Sequence, residues 1–173
     1  ENKKLRELIN ETVQSEDVYA KVLVDKDSPY LKSIVLNKGS KDNIKIGMAI
    51  VDRSYLVGKI IEVNYTNSRA LLVSDLNSKI PVLLEPMDIH AVLSGTGKNY
   101  GAIEYTKDEY KKKLTSNEII VYTSGYGGLF KPGLPIGKII TNNFNKDNQV
   151  NFFSDFRQLD YVKIVSYEIG SGN

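Results

Sequence analysis

"SYLVGKII", residues 54–61, and "GLPIGKII", residues 133–140, end in the same four letters, set 79 residues apart. A chain of 173 residues that repeats a phrase at this distance has room for two copies of one unit. The text around the copies extends the match. "LLVSDLNSKIPVLL" (71–84) lies over "NFFSDFRQLDYVKIV" (151–165), each with apolar residues, Ser-Asp, an apolar residue, a polar turn and a further apolar run. "AIVD" (49–52) lies over "IIVYT" (119–123), and "YAKVLV" (19–24) over "HAVLSG" (90–95). The offset drifts along the chain, and "SGYGGLFKPG" (124–133) absorbs the difference as a longer loop. Four segments in one order define a duplicated unit, spanning 18–85 and 90–168.

Within each unit the pattern is that of strands. From Val18 onward, short β-branched runs alternate with clusters of Gly, Asn, Asp, Ser and Pro, which is how an all-β chain reads. Six runs precede residue 86, from "VYAKVLV" to "IPVLLE", and six follow, from "HAVLSG" to "YVKIVSYEI". A unit this small is marginal alone, since a domain of about 60 residues buries only about 60% of its unfolded surface. Six short strands also leave sheet edges, and closure into a barrel removes them. The expectation is an all-β fold of two packed six-stranded β-barrels. Whether the barrels use consecutive strands or exchange them stays open.

The first 17 residues read differently. Leu5, Leu8, Ile9 and Val13 fall at i, i+3, i+4 and i+8, an apolar stripe on one helical face. Two readings stand for this helix: the tail of a longer coiled coil that sets self-association, or a helix docked on its own domain.

Composition excludes several classes. Hydrophobic residues make up 41% and charged residues 25%, ordinary for a globular chain. No run reaches the roughly 18–20 apolar residues of a spanning helix. The start at "ENKKLREL" reads as that of a piece of a longer protein. Net charge is only +2, and the densest basic run, "KKK" at 111–113, follows two acids without aromatic interleaving. It reads as a solvated loop, so no nucleic-acid partner is expected. With no cysteine, disulfides, thiolate metal sites and cysteine catalysis are all excluded.

Catalytic constellations were sought because paired six-stranded barrels are also the frame of a serine protease. The single histidine, His90, and the best serine, Ser124 in "TSGYGG", both lie in the second unit. The two-barrel proteases draw them from different barrels, and a triad further needs a carboxylate that orients the base. A degenerate hydrolase is therefore an alternative, and His90 is expected to be structural or to face solvent. "DKDSPY" (25–30) starts like a calcium loop but places Pro29 and Tyr30 where a ligand and the turn glycine belong. "GTGKN" (95–99) lacks the first glycine and the final Ser/Thr of a phosphate loop, so it reads as a tight strand connection. No metal, cofactor or catalytic residue is expected. What remains suits binding: the loop 124–135 carries Tyr126, Leu129 and Phe130 among glycines and prolines. Loop aromatics commonly anchor partners, although Leu129 and Phe130 could instead cap the barrel mouth.

Two longer stretches then make a resemblance specific. "IVLNKGSKDNIKIGMAIVDRSYLVGKIIEV" and "TSGYGGLFKPGLPIGKI" resemble the two signature regions of the MreC rod shape-determining family, with "SRALLVSDLNSKIPVLLE" between them following the same pattern. The likeness runs from about Asp17 to Ile169. It departs where Tyr55 replaces a usual glycine and where Lys131 separates Phe130 from Pro132. The resemblance implies a bitopic membrane protein whose anchor and most of whose coiled coil lie outside this sequence. It implies an extracytoplasmic, periplasmic-side location and barrels of the chymotrypsin type without a triad. It also implies a non-enzymatic, self-associating scaffold, a homodimer or higher assembly, for peptidoglycan synthesis in cell elongation. Its partners would be MreD, RodA, MreB and the class B penicillin-binding transpeptidase. A periplasmic adaptor subunit is a further alternative, but no lipoyl-like module with a helical hairpin is visible.

Overall fold

The computed structural model describes residues 17–27, 32–105, 118–128, 130–140 and 149–166. The helix bearing Leu5, Leu8, Ile9 and Val13, the lysine run 111–113 and Leu129 lie outside the described residues.

Twelve strands are present among the described residues, one for each run read from the sequence. The first six are β1 (Val18–Asp27), β2 (Lys32–Leu36), β3 (Ala49–Asp52), β4 (Tyr55–Val63), β5 (Ser68–Leu72) and β6 (Lys79–Glu85). The second six are β7 (Ile89–Gly95), β8 (Tyr100–Tyr105), β9 (Glu118–Thr123), β10 (Pro135–Ile140), β11 (Gln149–Phe152) and β12 (Tyr161–Val165). They form two closed antiparallel barrels. Strand order is β1-β12-β3-β4-β5-β2 in the first barrel and β7-β6-β9-β10-β11-β8 in the second.

The open question about strand exchange is thereby answered. The last strand of each unit crosses over: β6, from the 18–85 unit, closes the second barrel, and β12, from the 90–168 unit, closes the first. Barrel membership therefore does not follow the unit boundaries. The two orders still correspond strand for strand, with β1 matching β7, β12 matching β6, and so on around the ring. The exchange is reciprocal, so the repeat survives as a pseudo-two-fold relation.

The repeated letters now have a physical meaning. Gly58 pairs with Ile50 and Leu72, and Gly137 pairs with Val121 and Phe152. A Cβ on Gly58 would collide with the Leu71 carbonyl oxygen, and one on Gly137 with the Asn151 carbonyl oxygen. Leu71 and Asn151 are themselves equivalent by register. Both strands also shift register beside the glycine, the signature of a bulge that bends a barrel strand. After the glycine the pleat alternates: Ile60 and Ile139 are buried, while Ile61 and Ile140 face out. The same backbone is built twice.

Each barrel fills itself with the inward residues of its strands. Ile34, Leu36, Ile50, Ile60 and Ile164 form the first core, and Ile80, Val82, Leu84, Val121 and Ile139 belong to the second. The second core does not stop at its own barrel, since Ala49, Leu56 and Val73 of the first unit belong to it. β4 and β10, the strands of the repeated phrase, pack against each other. Phe156 touches both cores. The Tyr55 and Phe153 rings lie 5.0 Å apart, a contact that a glycine at position 55 could not make. The left-handed turn position falls to Arg53, at φ 60°.

Candidate partner-binding surface

The Gly/Pro-rich loop is closed by one buried hydroxyl. Thr123 Oγ1 donates to the Lys131 carbonyl at 2.6 Å and accepts the Leu134 N–H at 2.9 Å. The Thr123 N–H donates to the Leu134 carbonyl and the Gly133 N–H to the Thr123 carbonyl, each at 2.9 Å. Inside the loop, Gly125 and Gly127 take φ of 75° and 74°, a left-handed geometry that a side chain would strain. These turns fold the loop back over the second barrel.

That folding separates the residues singled out from the sequence. Tyr126 is 77% exposed at the loop tip. Phe130 is only 3% exposed and belongs to the second core. As a partner anchor Phe130 is therefore corrected: the Thr123 closure draws its ring inward, where it caps the barrel mouth. Burial of such a ring stabilises a fold by about 1.5–3 kcal/mol, and Phe130 contributes to the wall of a groove beside the loop.

Beside this loop runs a groove of about 300 Å³ between the barrels, walled by residues 45–49 on one side and by Phe130, Lys131 and Leu134 on the other. Ile46 stands on its rim, 70% exposed, whereas Ile44, two residues earlier, is buried. Sequence reading missed Ile46, although the Ile-Lys-Ile alternation held the signal. Among the described residues, Lys45 and Lys131 are the charged residues of the groove and no acid lines it. An apolar floor between two ammonium groups suits an apolar side chain with an acidic neighbour.

A second apolar face lies on the outside of the first barrel. Tyr19 and Leu23 on β1 and Tyr161 on β12 are all exposed. Tyr19 pairs with Lys163 and Tyr161 with Lys21, so rings and lysines alternate across the two strands. Lys163 Nζ lies 3.6 Å from an Asp17 oxygen.

The residues of a hydrolase do not meet. His90, exposed on β7, and Ser124, just past β9, are separated by β6, which pairs with both strands. Two ladder spacings place them on the order of 10 Å apart, beyond hydrogen-bond reach. The Ser124 hydroxyl instead accepts the Tyr126 N–H at 3.2 Å. "GTGKN" is a tight connection, in which Thr96 Oγ1 donates to the Tyr100 carbonyl at 2.6 Å and Gly97 takes φ 76°. Among the described residues no cluster of three or more metal-ligating side chains occurs.

A family model described as "Rod shape-determining protein MreC, barrel core" matches residues 22–166. The chain belongs to the MreC family. It is 33% identical over 149 residues to the cell shape-determining protein MreC of Cereibacter sphaeroides, covering 86% of this chain and 48% of that protein. The chain thus spans about half the length of the relative it matches. The crystal structure of MreC from Pseudomonas aeruginosa superposes with a TM-score of 0.74 at 22% identity, covering 87% of this chain and 99% of that one. A complex between penicillin-binding protein PBP2 and MreC from Helicobacter pylori matches with a TM-score of 0.59 at 12% identity, covering 88% of this chain and 99% of that chain. These MreC structures share the barrel pair found here.

Proposed function

We propose that this chain is the extracytoplasmic barrel region of a cell shape-determining scaffold, and that it works by binding and not by catalysis. The single observation that carries the reading is the groove between the barrels, with Ile46 exposed on its rim and Tyr126 exposed on the loop that walls it. The partner is the class B penicillin-binding transpeptidase of cell elongation, a reading supported by the complex of PBP2 with the Helicobacter pylori relative. A scaffold of this kind activates an enzyme only by binding its active conformation more tightly than the inactive one. Self-association is assigned to the apolar stripe of Leu5, Leu8, Ile9 and Val13 read from the sequence. MreD, RodA and MreB are reached through the membrane-anchored whole protein.

The test is a calorimetric titration of the extracytoplasmic transpeptidase domain with this chain. Ile46→Asp is expected to weaken binding at least about tenfold, since an anchor in an interface commonly carries 2 kcal/mol or more. Unchanged affinity in a variant with an unaltered melting temperature would overturn the assignment of the groove.

A further inference from the structure

The two Ser-Asp turns that follow β5 and β11 are equivalent by register, yet their carboxylates behave differently. Asp75 is fully buried: Oδ2 accepts the Lys32 N–H and Oδ1 the Asn77 N–H, each at 2.8 Å. Its counterpart Asp155 is exposed, and Oδ1 accepts the Arg157 N–H at 3.1 Å and Nε–H at 3.3 Å. The ladder registers make Asn99 the counterpart of Lys32. No hydrogen bond joins Asn99 to Asp155 among the described residues. The first unit therefore supplies its own carboxylate to a backbone donor, a bond that has no equivalent in the second unit among the described residues.

Between the two turns lies a cleft of about 430 Å³, lined from both units. Ser74 and Ser154, Leu72 and Phe152, and Lys32 and Asn99 line it as equivalent pairs, so it sits on the pseudo-two-fold axis. Lys98 and Arg157 also line it, and Asp155 is its one carboxylate among the described residues. Arg157 pairs with Asp155, and Lys98 adds a further positive charge to the wall. The rings of Phe152 and Phe156, centred 5.0 Å apart, form an apolar flank. The Ser154 hydroxyl oxygen is shielded from solvent and has no partner among the described residues. A buried hydroxyl without a partner is uncommon and calls for an explanation.

We propose that this cleft binds the free carboxylate of a short apolar group, of which the C-terminus of an extended peptide is the ligand that offers both features. The carboxylate takes the place beside Asn99 that the Asp75 side chain fills beside Lys32 in the first unit. The apolar residue next to it packs on Phe152 and Phe156. Lys98 supplies the long-range attraction, so the affinity falls with salt. This site is separate from the groove beside Tyr126, and neither assignment depends on the other.

The experiment is a nitrogen-15 NMR titration of this chain with N-acetyl-phenylalanyl-alanine, its C-terminal amide, phenylacetate and inorganic phosphate. The free acid is expected to move the amide signals of Asn99, Ser154 and Arg157, and the amide to bind at least about tenfold more weakly, as loss of a charged hydrogen-bond acceptor entails. Lys98→Ala should weaken the free acid several-fold at unchanged melting temperature. Phenylacetate binding as well as the peptide would assign the site to small organic acids, and weaker binding would assign it to peptide termini. Equal binding of acid and amide, tighter binding of phosphate, or shifts confined to other surfaces would overturn the proposal.

Discussion

The rings of Tyr55 and Phe153 meet at 5.0 Å across the junction of the two units, one at the start of β4 and the other just past β11. The contact joins β4, the strand of the first "GKII", to the Ser-Asp turn that follows β11. An aromatic pair of this geometry contributes about 0.5–1.5 kcal/mol beyond its buried area. A double-mutant cycle of Tyr55→Ala and Phe153→Ala, read by chemical denaturation, is expected to return a coupling in that range. Strict additivity would place the junction's stability elsewhere, in Phe156 and Leu56.

Gly58 and Gly137 face the same obstacle, a carbonyl oxygen of the neighbouring strand. Alanine at either position must push two barrel strands apart, and each substitution is expected to cost about 2–4 kcal/mol. The two costs should also be close to each other, because the surrounding register is the same. Thermal and denaturant unfolding of both single variants checks this. A tolerated alanine at one site alone would mean that the pseudo-symmetry is broken there.

Reciprocal exchange makes each unit incomplete. Residues 18–85 by themselves lack β12, leaving β1 and β3 with unpaired edges, and residues 90–168 lack β6 in the same way. Neither half is expected to unfold cooperatively when made alone, whereas the two mixed together should regain a melting transition. Circular dichroism of the halves and the mixture decides the matter. A cooperative transition in a single half would contradict the exchanged topology.

Much of this fold was legible in the letters, for a physical reason. Period-two burial and short β-branched runs identify strands locally, so all twelve were readable, and "GKII" repeats because one backbone geometry recurs. Strand exchange was not legible, since β6 and β12 are equivalent and exchanging them leaves the local demands on both sequences unchanged. Phe130 stood open between a partner anchor and a cap of the barrel mouth, because the loop closure through Thr123 Oγ1, Lys131 and Leu134 is not encoded in composition. Ile46 was passed over because its neighbour Ile44 carries the core signal.

Thr123 therefore has a testable role of its own. Thr123→Val keeps the shape and removes the hydroxyl, leaving the Leu134 N–H and the Lys131 carbonyl short of one partner each. The expected cost is about 1–3 kcal/mol, with amide exchange accelerated at Gly128 and Gly133 before the rest of the second barrel. Uniform destabilisation without that local effect would deny the closure its role.

We propose that the groove walled by Ile46 receives the transpeptidase. Site-specific photo-crosslinking is the sharpest test, with the reactive residue placed in turn at Ile46, Tyr126, His90 and Tyr19 of the membrane-anchored protein. Transpeptidase adducts are expected at Ile46 and Tyr126 and none at His90. Adducts confined to Tyr19 would overturn the assignment and move the partner to the outer face of the first barrel.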